Sequence, residues 1–216
     1  MVSPGVAHDN TTQLVLQTID AYERSARECV ARWNRRRHRR PPLLVKWLKC
    51  LPADARLLDL GCGGGRDADD LAQRGYRVVG LDRTSALLSA GRHRFPSLPL
   101  VRADLRDLPF QSMSFDGLWA AASLMHLPKP AARRILADLY KLVRPGGLFA
   151  ATVTYGLKSR LVTDGWVPGR YFARWGKDEL ARAVHRAGWT ILELQVVTNR
   201  ERKGRWINFI ARRDAE

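Results

Sequence analysis

The chain has 216 residues, of which 45% are apolar, and a formal net charge of +16. This length suits one α/β domain with a sizeable core and some elaboration, and it is too short for two full domains. No apolar run reaches the roughly 20 residues of a membrane span, and the first ten residues lack a secretory-signal pattern. The spacing of Cys29, Cys50 and Cys62 is typical neither of a metal site nor of a disulfide framework. A cytoplasmic protein is therefore expected.

The first 50 residues are expected to form a helical cap with a basic linker, followed by the main domain over residues 51–216. Asn10 and Gln13 have the spacing of a capping box, and apolar residues then recur at helical spacing as far as Trp33. Residues 34–40, NRRRHRR, carry too many like charges to be buried and precede two prolines, which predicts an exposed linker. A short helix over residues 43–51 leads into the main domain.

Residues 56–82, RLLDLGCGGGRDADDLAQRGYRVVGLD, contain the strongest local pattern. Two apolar runs enclose a glycine-rich turn and a polar helical segment, which predicts a strand, a loop, a helix and a second strand. Glycines let a nucleotide approach the backbone, and the helix N-terminus points at that ligand. Asp82 ends the second strand, where its carboxylate can accept hydrogen bonds from both hydroxyls of a ribose. The ligand is therefore expected to contain a ribose.

The same loop argues against a phosphate on that ligand. A dinucleotide fingerprint needs glycine where Arg66 stands, and no Gly-Lys-Ser/Thr follows the glycines. Asp67, Asp69 and Asp70 open the helix and would compete with a pyrophosphate for the positive end of its dipole, although they also compensate that dipole in the ordinary way.

The rest of the chain continues the alternation of helices and strands. Helices are predicted over residues 85–94, 131–142 and 177–187, and strands over residues 98–102, 115–121, 147–154, 190–197 and 206–211, with a polar turn over residues 199–204. The unbroken apolar run at residues 118–122 is typical of a strand that is buried on both faces.

Five motifs occur in order along the chain: Asp59 with the glycines at 61, 63 and 65, then Asp82, Asp104, FDGLWAA over residues 115–121 and VRPGG over residues 143–147. In this register they resemble the motifs of the class I S-adenosylmethionine-dependent methyltransferases, in particular the UbiE/UbiG-like small members. The resemblance implies a Rossmann-like α/β fold with a seven-stranded, mostly parallel sheet in the order 3-2-1-4-5-7-6 and an antiparallel last strand.

The resemblance also implies the cofactor. S-adenosylmethionine would be the methyl donor and S-adenosylhomocysteine the product, and no metal would be needed. The residues expected to bind the donor are Asp59, Gly61, Cys62, Gly63, Asp82, Arg83, Asp104, Leu105 and Ala121.

Tyr22 and His126 are the candidate catalytic residues. The segment AYERSARECVARW resembles the N-terminal helix that covers the donor in many small members of the family, which would place Tyr22 near the sulfonium. His126 follows the fourth strand at the sheet edge where α/β proteins present ligands, so it is predicted to act on the acceptor as a base or hydrogen-bond partner. The alternatives are that Tyr22 only packs on the sheet and that His126 only caps the turn before Pro128.

Three classes of function stay open. The favoured one is methyl transfer to an oxygen, nitrogen or sulfur of a small molecule by in-line displacement. A tRNA wobble-uridine-type methyltransferase is the second, because residues 170–180 and the later GRWINF resemble those enzymes, although Phe172 and Ala173 replace their tyrosine and histidine. The third is a non-catalytic, donor-binding RNA or assembly module. The oligomeric state is not predicted.

The positive charge is concentrated in the two flanks of the chain. Residues 1–50 hold ten Lys or Arg against four Asp or Glu, residues 156–216 hold thirteen against seven, and residues 51–155 hold fourteen against ten. This excess can attract tRNA or an acidic small molecule, or it can be solvated surface charge without a partner.

Overall fold

The computed structural model describes residues 4–35, 41–199 and 204–215. The helices are α1 (Pro4–Arg35), α2 (Pro42–Leu48), α3 (Arg66–Ala72), α4 (Ser85–Arg94), α5 (Lys129–Leu142) and α6 (Lys177–Arg186). The strands are β1 (Arg56–Leu60), β2 (Arg77–Asp82), β3 (Leu100–Arg102), β4 (Phe115–Ala121), β5 (Val143–Thr154), β6 (Arg160–Val162), β7 (Arg170–Phe172), β8 (Thr190–Asn199) and β9 (Gly204–Arg212). A short 3-10 helix, Leu124–His126, follows β4.

Seven strands form one sheet in the spatial order β3-β2-β1-β4-β5-β9-β8. The first five strands of the chain pair in parallel, and β9 runs antiparallel to both of its neighbours. Once the additional strands β6 and β7 are allowed for, this is the predicted order with the predicted antiparallel last strand. The α/β, Rossmann-like fold prediction is confirmed, and the carboxyl ends of β1 and β4 meet at the middle of the sheet.

Successive residues of the central strands are buried on opposite faces of the sheet. Leu58 and Leu118 belong to a core formed with α5 and α6, whereas Leu57 and Trp119 belong to a second core formed with α2 and α3. The indole of Trp119 stacks on that of Trp47 with ring centroids 5.7 Å apart. The prediction that β4 is buried on both faces is confirmed.

A second, two-stranded sheet of β6 and β7 lies between β5 and α6 in the chain and was not predicted. Each strand has three residues, which is too short to show the alternation of apolar and polar residues that marks a strand. Backbone and side-chain hydrogen bonds hold β7 between two other elements. The N–H of Tyr171 donates to Thr18 Oγ1 of α1 at 2.9 Å, and the N–H of Ala173 donates to the carbonyl of Met125 at 2.7 Å.

The ends of three helices differ from the prediction by more than one residue. α2 ends at Leu48 rather than at residue 51. α1 begins at Pro4, so Asn10 lies inside the helix and the predicted capping box is wrong. α5 begins at Lys129, before the predicted start, with Pro130 in its first turn. Proline fits the first turn of a helix because its φ is preset and no N–H is needed there. α1 also continues to Arg35, and the remainder of the predicted linker lies outside the described residues.

The N-terminal helices pack on the sheet rather than apart from it. Val15 of α1 belongs to the first core, and Leu44 and Trp47 of α2 belong to the second. The division into a cap and a main domain at residue 50 stays a prediction. Within the described parts of the chain, none of the helices combines the length and apolarity that crossing a bilayer requires.

Candidate active site

The loop after β1 turns sharply because glycine occupies a left-handed backbone position there. Gly61 has φ of +74°, and a Cβ atom at this position would lie 2.3 Å from Cβ of Ser123. The N–H groups of Gly61 and Cys62 donate to the carbonyl of Leu81 at 2.7 and 2.9 Å. A side chain at 61 would therefore both strain the turn and collide with the segment after β4.

Asp82, at the end of β2, holds the glycine loop from the other side. Its Oδ2 accepts the N–H of Gly63 and its Oδ1 accepts the N–H of Thr84, each at 2.8 Å. Burial raises the pKa of the Asp82 carboxyl, and these hydrogen bonds oppose that shift. Since each carboxylate oxygen has a second lone pair, Asp82 can hold the loop and still accept hydrogen bonds from a ligand.

Asp59, at the end of β1, is the most deeply buried acid of the site, with 2% of its surface exposed. Its Oδ2 has no hydrogen-bond partner among the described residues. Burial, together with the neighbouring charges of Asp67 and Asp82, raises the pKa of Asp59 well above its usual range. A buried carboxyl with a free oxygen is costly by itself, so this position favours a ligand that brings a hydrogen-bond donor or a positive charge.

Asp104 lies beyond β3 and is already paired within the protein. It accepts hydrogen bonds from the backbone N–H of Arg106 at 2.9 Å and from Arg106 Nη2 at 2.8 Å, and Arg83 Nε lies 3.9 Å away. Burial alone would raise the pKa of Asp104, but the hydrogen bonds and charge of Arg106 outweigh it and leave the pKa below its ordinary value. Asp104 is therefore expected to stay ionised beside the cavity.

Tyr22 and His126, which lie 104 positions apart in the chain, are hydrogen-bonded to each other. Nδ1 of His126 lies 2.8 Å from the carbonyl of Tyr171, which can only accept, so Nδ1 carries the proton. Nε2 then accepts the hydroxyl of Tyr22 at 2.9 Å, and Arg170 Nη1 donates to the same hydroxyl at 3.3 Å. Three residues from three elements thus form one hydrogen-bonded chain.

The charge states along this chain follow from its surroundings. Burial lowers the pKa of His126 to about 4, with the hydrogen bond to Tyr171 opposing the shift and the charge of Arg170 adding to it. Burial also raises the pKa of Tyr22, and Arg170 opposes that shift. Near neutral pH, His126 is a neutral imidazole and Tyr22 a neutral phenol.

α1 covers the site, and its Glu23 carboxylate bonds it to α4. The two oxygens of Glu23 accept the N–H groups of Ser85 and Ala86 at 2.5 and 2.8 Å, at the first turn of α4. These N–H groups have no partner within their own helix, and a carboxylate there also complements the helix dipole. The far end of α1 lies over the glycine loop, where Trp33 would be 3.1 Å from a Cβ atom at Gly63.

A cavity of about 700 Å³ lies beneath α1. It is lined by every residue predicted to bind the donor or act on the acceptor: Tyr22, Asp59, Gly61, Cys62, Gly63, Asp82, Arg83, Asp104, Leu105, Ala121 and His126. Residues from β1, β2, β4 and the segments after β3 and β4 therefore converge on the same space under α1.

Comparison with known proteins agrees with this geometry. The model of a methyltransferase domain matches residues 57–147. The chain is 41% identical over 102 residues to trans-aconitate 2-methyltransferase of Deinococcus radiodurans, covering 46% of this chain and 38% of that protein. It is 33% identical over 144 residues to ubiquinone biosynthesis O-methyltransferase of Pseudomonas aeruginosa, covering 60% of each.

A solved structure extends the likeness to nearly the whole fold. The 1,6-didemethyltoxoflavin-N1-methyltransferase of Burkholderia thailandensis, solved with 1,6-didemethyltoxoflavin and S-adenosylhomocysteine bound, superposes with a TM-score of 0.75 at 22% identity, over 99% of this chain and 92% of that one. Residues 57–147 belong to the methyltransferase-domain family, and the chain as a whole has the class I S-adenosylmethionine-dependent methyltransferase fold. It spans 38% and 60% of the lengths of the two curated relatives named above.

The methyltransferase family makes S-adenosylmethionine the cofactor, as the motifs predicted, and the residues present fit it. The free Oδ2 of Asp59 suits a cationic or hydrogen-bond-donating group of the donor, and Asp82 retains acceptor capacity for its ribose. Among residues 4–35, 41–199 and 204–215, no group of three or more His, Cys, Asp or Glu side chains is arranged to hold a metal ion. The roles of the individual residues stay predictions.

The sequence analysis missed the contribution of β7 and of the loop before it. Trp166 of the loop and Arg170 of β7 line the cavity, and the indole of Trp166 lies edge-on to Trp33 with ring centroids 6.4 Å apart. Residues 170–180 did stand out, as a likeness to tRNA-modifying enzymes, but not as part of the acceptor side. The available signal was an arginine among aromatic residues in a segment without helical or strand periodicity.

Proposed function

We propose that this protein transfers the methyl group of S-adenosylmethionine to an oxygen, nitrogen or sulfur of a small-molecule acceptor by in-line displacement. The observation that carries the proposal is the single cavity in which the donor motifs and the chain of Arg170, Tyr22 and His126 face the same space. The names of the relatives support it, since they specify methyl transfer and, in one of them, transfer to oxygen.

The form of the cavity favours a small acceptor over a nucleic acid. Its volume of about 700 Å³ lies within the range of small-molecule sites and has to hold the donor as well. α1 closes it from above and is bonded both to α4, through Glu23, and to β7, through Thr18. α1 would have to move for a polynucleotide to enter the cavity.

Methyl transfer from a sulfonium needs alignment, exclusion of water and, for a protonated acceptor, a destination for the proton. The Tyr22 hydroxyl donates to His126 and accepts from Arg170, so it can still accept one hydrogen bond from an acceptor. Moving a proton on to His126 would create an imidazolium beside Arg170, which the low pKa of His126 opposes. We therefore propose that Tyr22 contacts the acceptor and that His126 is its hydrogen-bond partner rather than the final base.

The class of acceptor can be tested with methyl-labelled S-adenosylmethionine. Purified protein is incubated separately with a small-molecule extract and with tRNA from a strain that lacks the gene, and label is followed by mass spectrometry. We expect label in a small molecule. Label in tRNA alone would contradict the proposal in favour of the wobble-uridine alternative, and donor binding without label in either fraction would favour the non-catalytic module.

The roles of the two side chains are tested once the acceptor is known. Tyr22→Phe removes only the hydroxyl, and His126→Asn keeps a donor for the Tyr171 carbonyl but removes the partner of Tyr22. Both should lower kcat/KM by about tenfold or more with unchanged donor affinity, as expected when a hydrogen bond that orients the acceptor is lost. A pH profile of turnover with an inflection near pH 6.5 that disappears in His126→Asn would instead identify His126 as a titrating base.

A further inference from the structure

Arg170 is a buried cation that has no carboxylate partner among residues 4–35, 41–199 and 204–215. Only 9% of its surface is exposed, and it lines the cavity. Its Nε donates to the carbonyl of Val167 at 2.9 Å and its Nη1 donates to the hydroxyl of Tyr22 at 3.3 Å. Neither partner is an anion, and no Asp or Glu of the described residues forms an ion pair with it. Within the described part of the chain, the charge of Arg170 therefore has no carboxylate counter-ion.

Aromatic rings surround the guanidinium instead of carboxylates. Its Cζ lies 5.1 Å from the ring centroids of Trp166 and Phe172 and 5.5 Å from that of Tyr22. Rings attract a cation, but too weakly to replace an anion in a buried site. Tyr22 does not serve as that anion, because its raised pKa keeps the phenol protonated.

The guanidinium also has donor capacity left over. It carries five N–H groups, and its Nη2 makes no hydrogen bond with any of the residues that the structure describes. The lining of the cavity also includes apolar side chains, among them Ile19, Leu127 and Phe172. The arrangement is a planar, cationic fork at the wall of a cavity that also has apolar lining, and such a fork recognises a carboxylate or a similar anionic oxygen.

We propose that Arg170 binds an anionic oxygen of the methyl acceptor, so that the acceptor is a small organic acid with an apolar body. This proposal rests on the proposed function, because it assigns the charge of the acceptor in that same cavity. A neutral acceptor would leave the buried charge of Arg170 unpaired in the complex, whereas an acid would supply the missing counter-ion.

The test compares matched pairs of acids and amides of increasing size: acetate and acetamide, benzoate and benzamide, 2-naphthoate and 2-naphthamide. Each acid and its amide differ mainly in charge. Binding is measured by calorimetry on the full chain saturated with S-adenosylhomocysteine, at high salt to screen surface attraction, because buried pairs are screened much less. We expect at least one acid to bind about tenfold or more tightly than its amide.

Variants then locate the preference. Arg170→Gln should abolish the preference for the acid, and Arg170→Lys should retain part of it because the charge remains without the planar fork. The matched control is Arg160→Gln, which removes the same charge from the neighbouring strand β6 at an exposed position outside the cavity. This control should bind like the unaltered protein. A role of Arg170 limited to holding Tyr22 and Val167 would not change the ratio of acid to amide affinity.

Three results would overturn the proposal. The first is equal affinity, or no measurable binding, for the acid and amide of every pair; the second is a preference for the acid that survives in Arg170→Gln; the third is its loss in Arg160→Gln. If Arg170→Gln does not fold, the unaltered protein and Arg170→Lys decide the matter. If the unaltered protein does not bind S-adenosylhomocysteine, the proposed function itself is refuted. If it binds S-adenosylhomocysteine but has equal affinity for each acid and its amide, only the role of Arg170 is refuted.

Discussion

The neutral state of His126 should make the protein sensitive to mild acid. Its pKa is about 4 in the folded protein, and the reference value for an unfolded chain is about 6.5. Below that reference value the unfolded chain binds a proton that the folded protein does not, so the free energy of unfolding must fall as the pH falls. Above it both states are neutral, and His126 has no effect.

The size of the effect follows from these two pKa values. Between pH 7.5 and pH 5, protonation of the unfolded chain at this position lowers the free energy of unfolding by about 2 kcal/mol. The buried carboxyls of Asp59 and Asp82 have raised pKa values and act in the opposite sense, since the folded protein takes up their protons first. Their contribution is common to any pair of proteins that differ only at His126.

The measurement is urea denaturation of the unaltered protein and His126→Asn at several pH values between 5 and 7.5. The difference between their free energies of unfolding should change by about 2 kcal/mol over this range, because asparagine does not titrate. His185→Asn, at an exposed position on α6, is the control and should keep the full pH dependence. If His126→Asn and the unaltered protein lose stability in parallel, His126 is not held neutral by its surroundings and the argument fails.

Three further predictions concern the donor and the flanks. If Asp82 accepts hydrogen bonds from both ribose hydroxyls as predicted, Asp82→Ala removes two charge-assisted bonds of about 1.5–3 kcal/mol each. Calorimetry should then show a large loss of affinity for S-adenosylhomocysteine, and unchanged affinity would refute the assignment. Gly61→Ala should lower the free energy of unfolding by about 1–3 kcal/mol more than Gly75→Ala, since both glycines have positive φ but only Gly61 faces a collision; equal costs would contradict this. If the basic N-terminal flank binds tRNA, the affinity for tRNA should fall steeply as the salt concentration rises. Replacing the arginines at residues 35–37 by serine should make this fall less steep. If the protein does not bind tRNA at low salt, the nucleic-acid hypothesis is wrong.

The part of the site predicted to bind the donor could be predicted from the sequence because its residues are close together in the chain. Residues 56–82 form one strand–loop–helix–strand unit, and the position of Asp82 follows from where its strand ends. Asp59 and Gly61 belong to the same unit, so local periodicity and turn chemistry were enough to bring them to one edge of the sheet. The order of the strands came from the family resemblance, because pairing between distant strands is not encoded in any local pattern.

The part of the site proposed to contact the acceptor depends on contacts between segments that are far apart in the chain. Periodicity shows that α1 buries one face, but only packing shows that Tyr22 meets His126 and, 148 positions away, Arg170. The pattern could equally have left Tyr22 in a purely structural interface. Charge states are also decided by tertiary structure: the sequence allowed His126 a pKa near its reference value, whereas burial and the approach of Arg170 lower it to about 4. A residue's type and local period are properties of the sequence, but its partners and its dielectric surroundings exist only once the chain has packed.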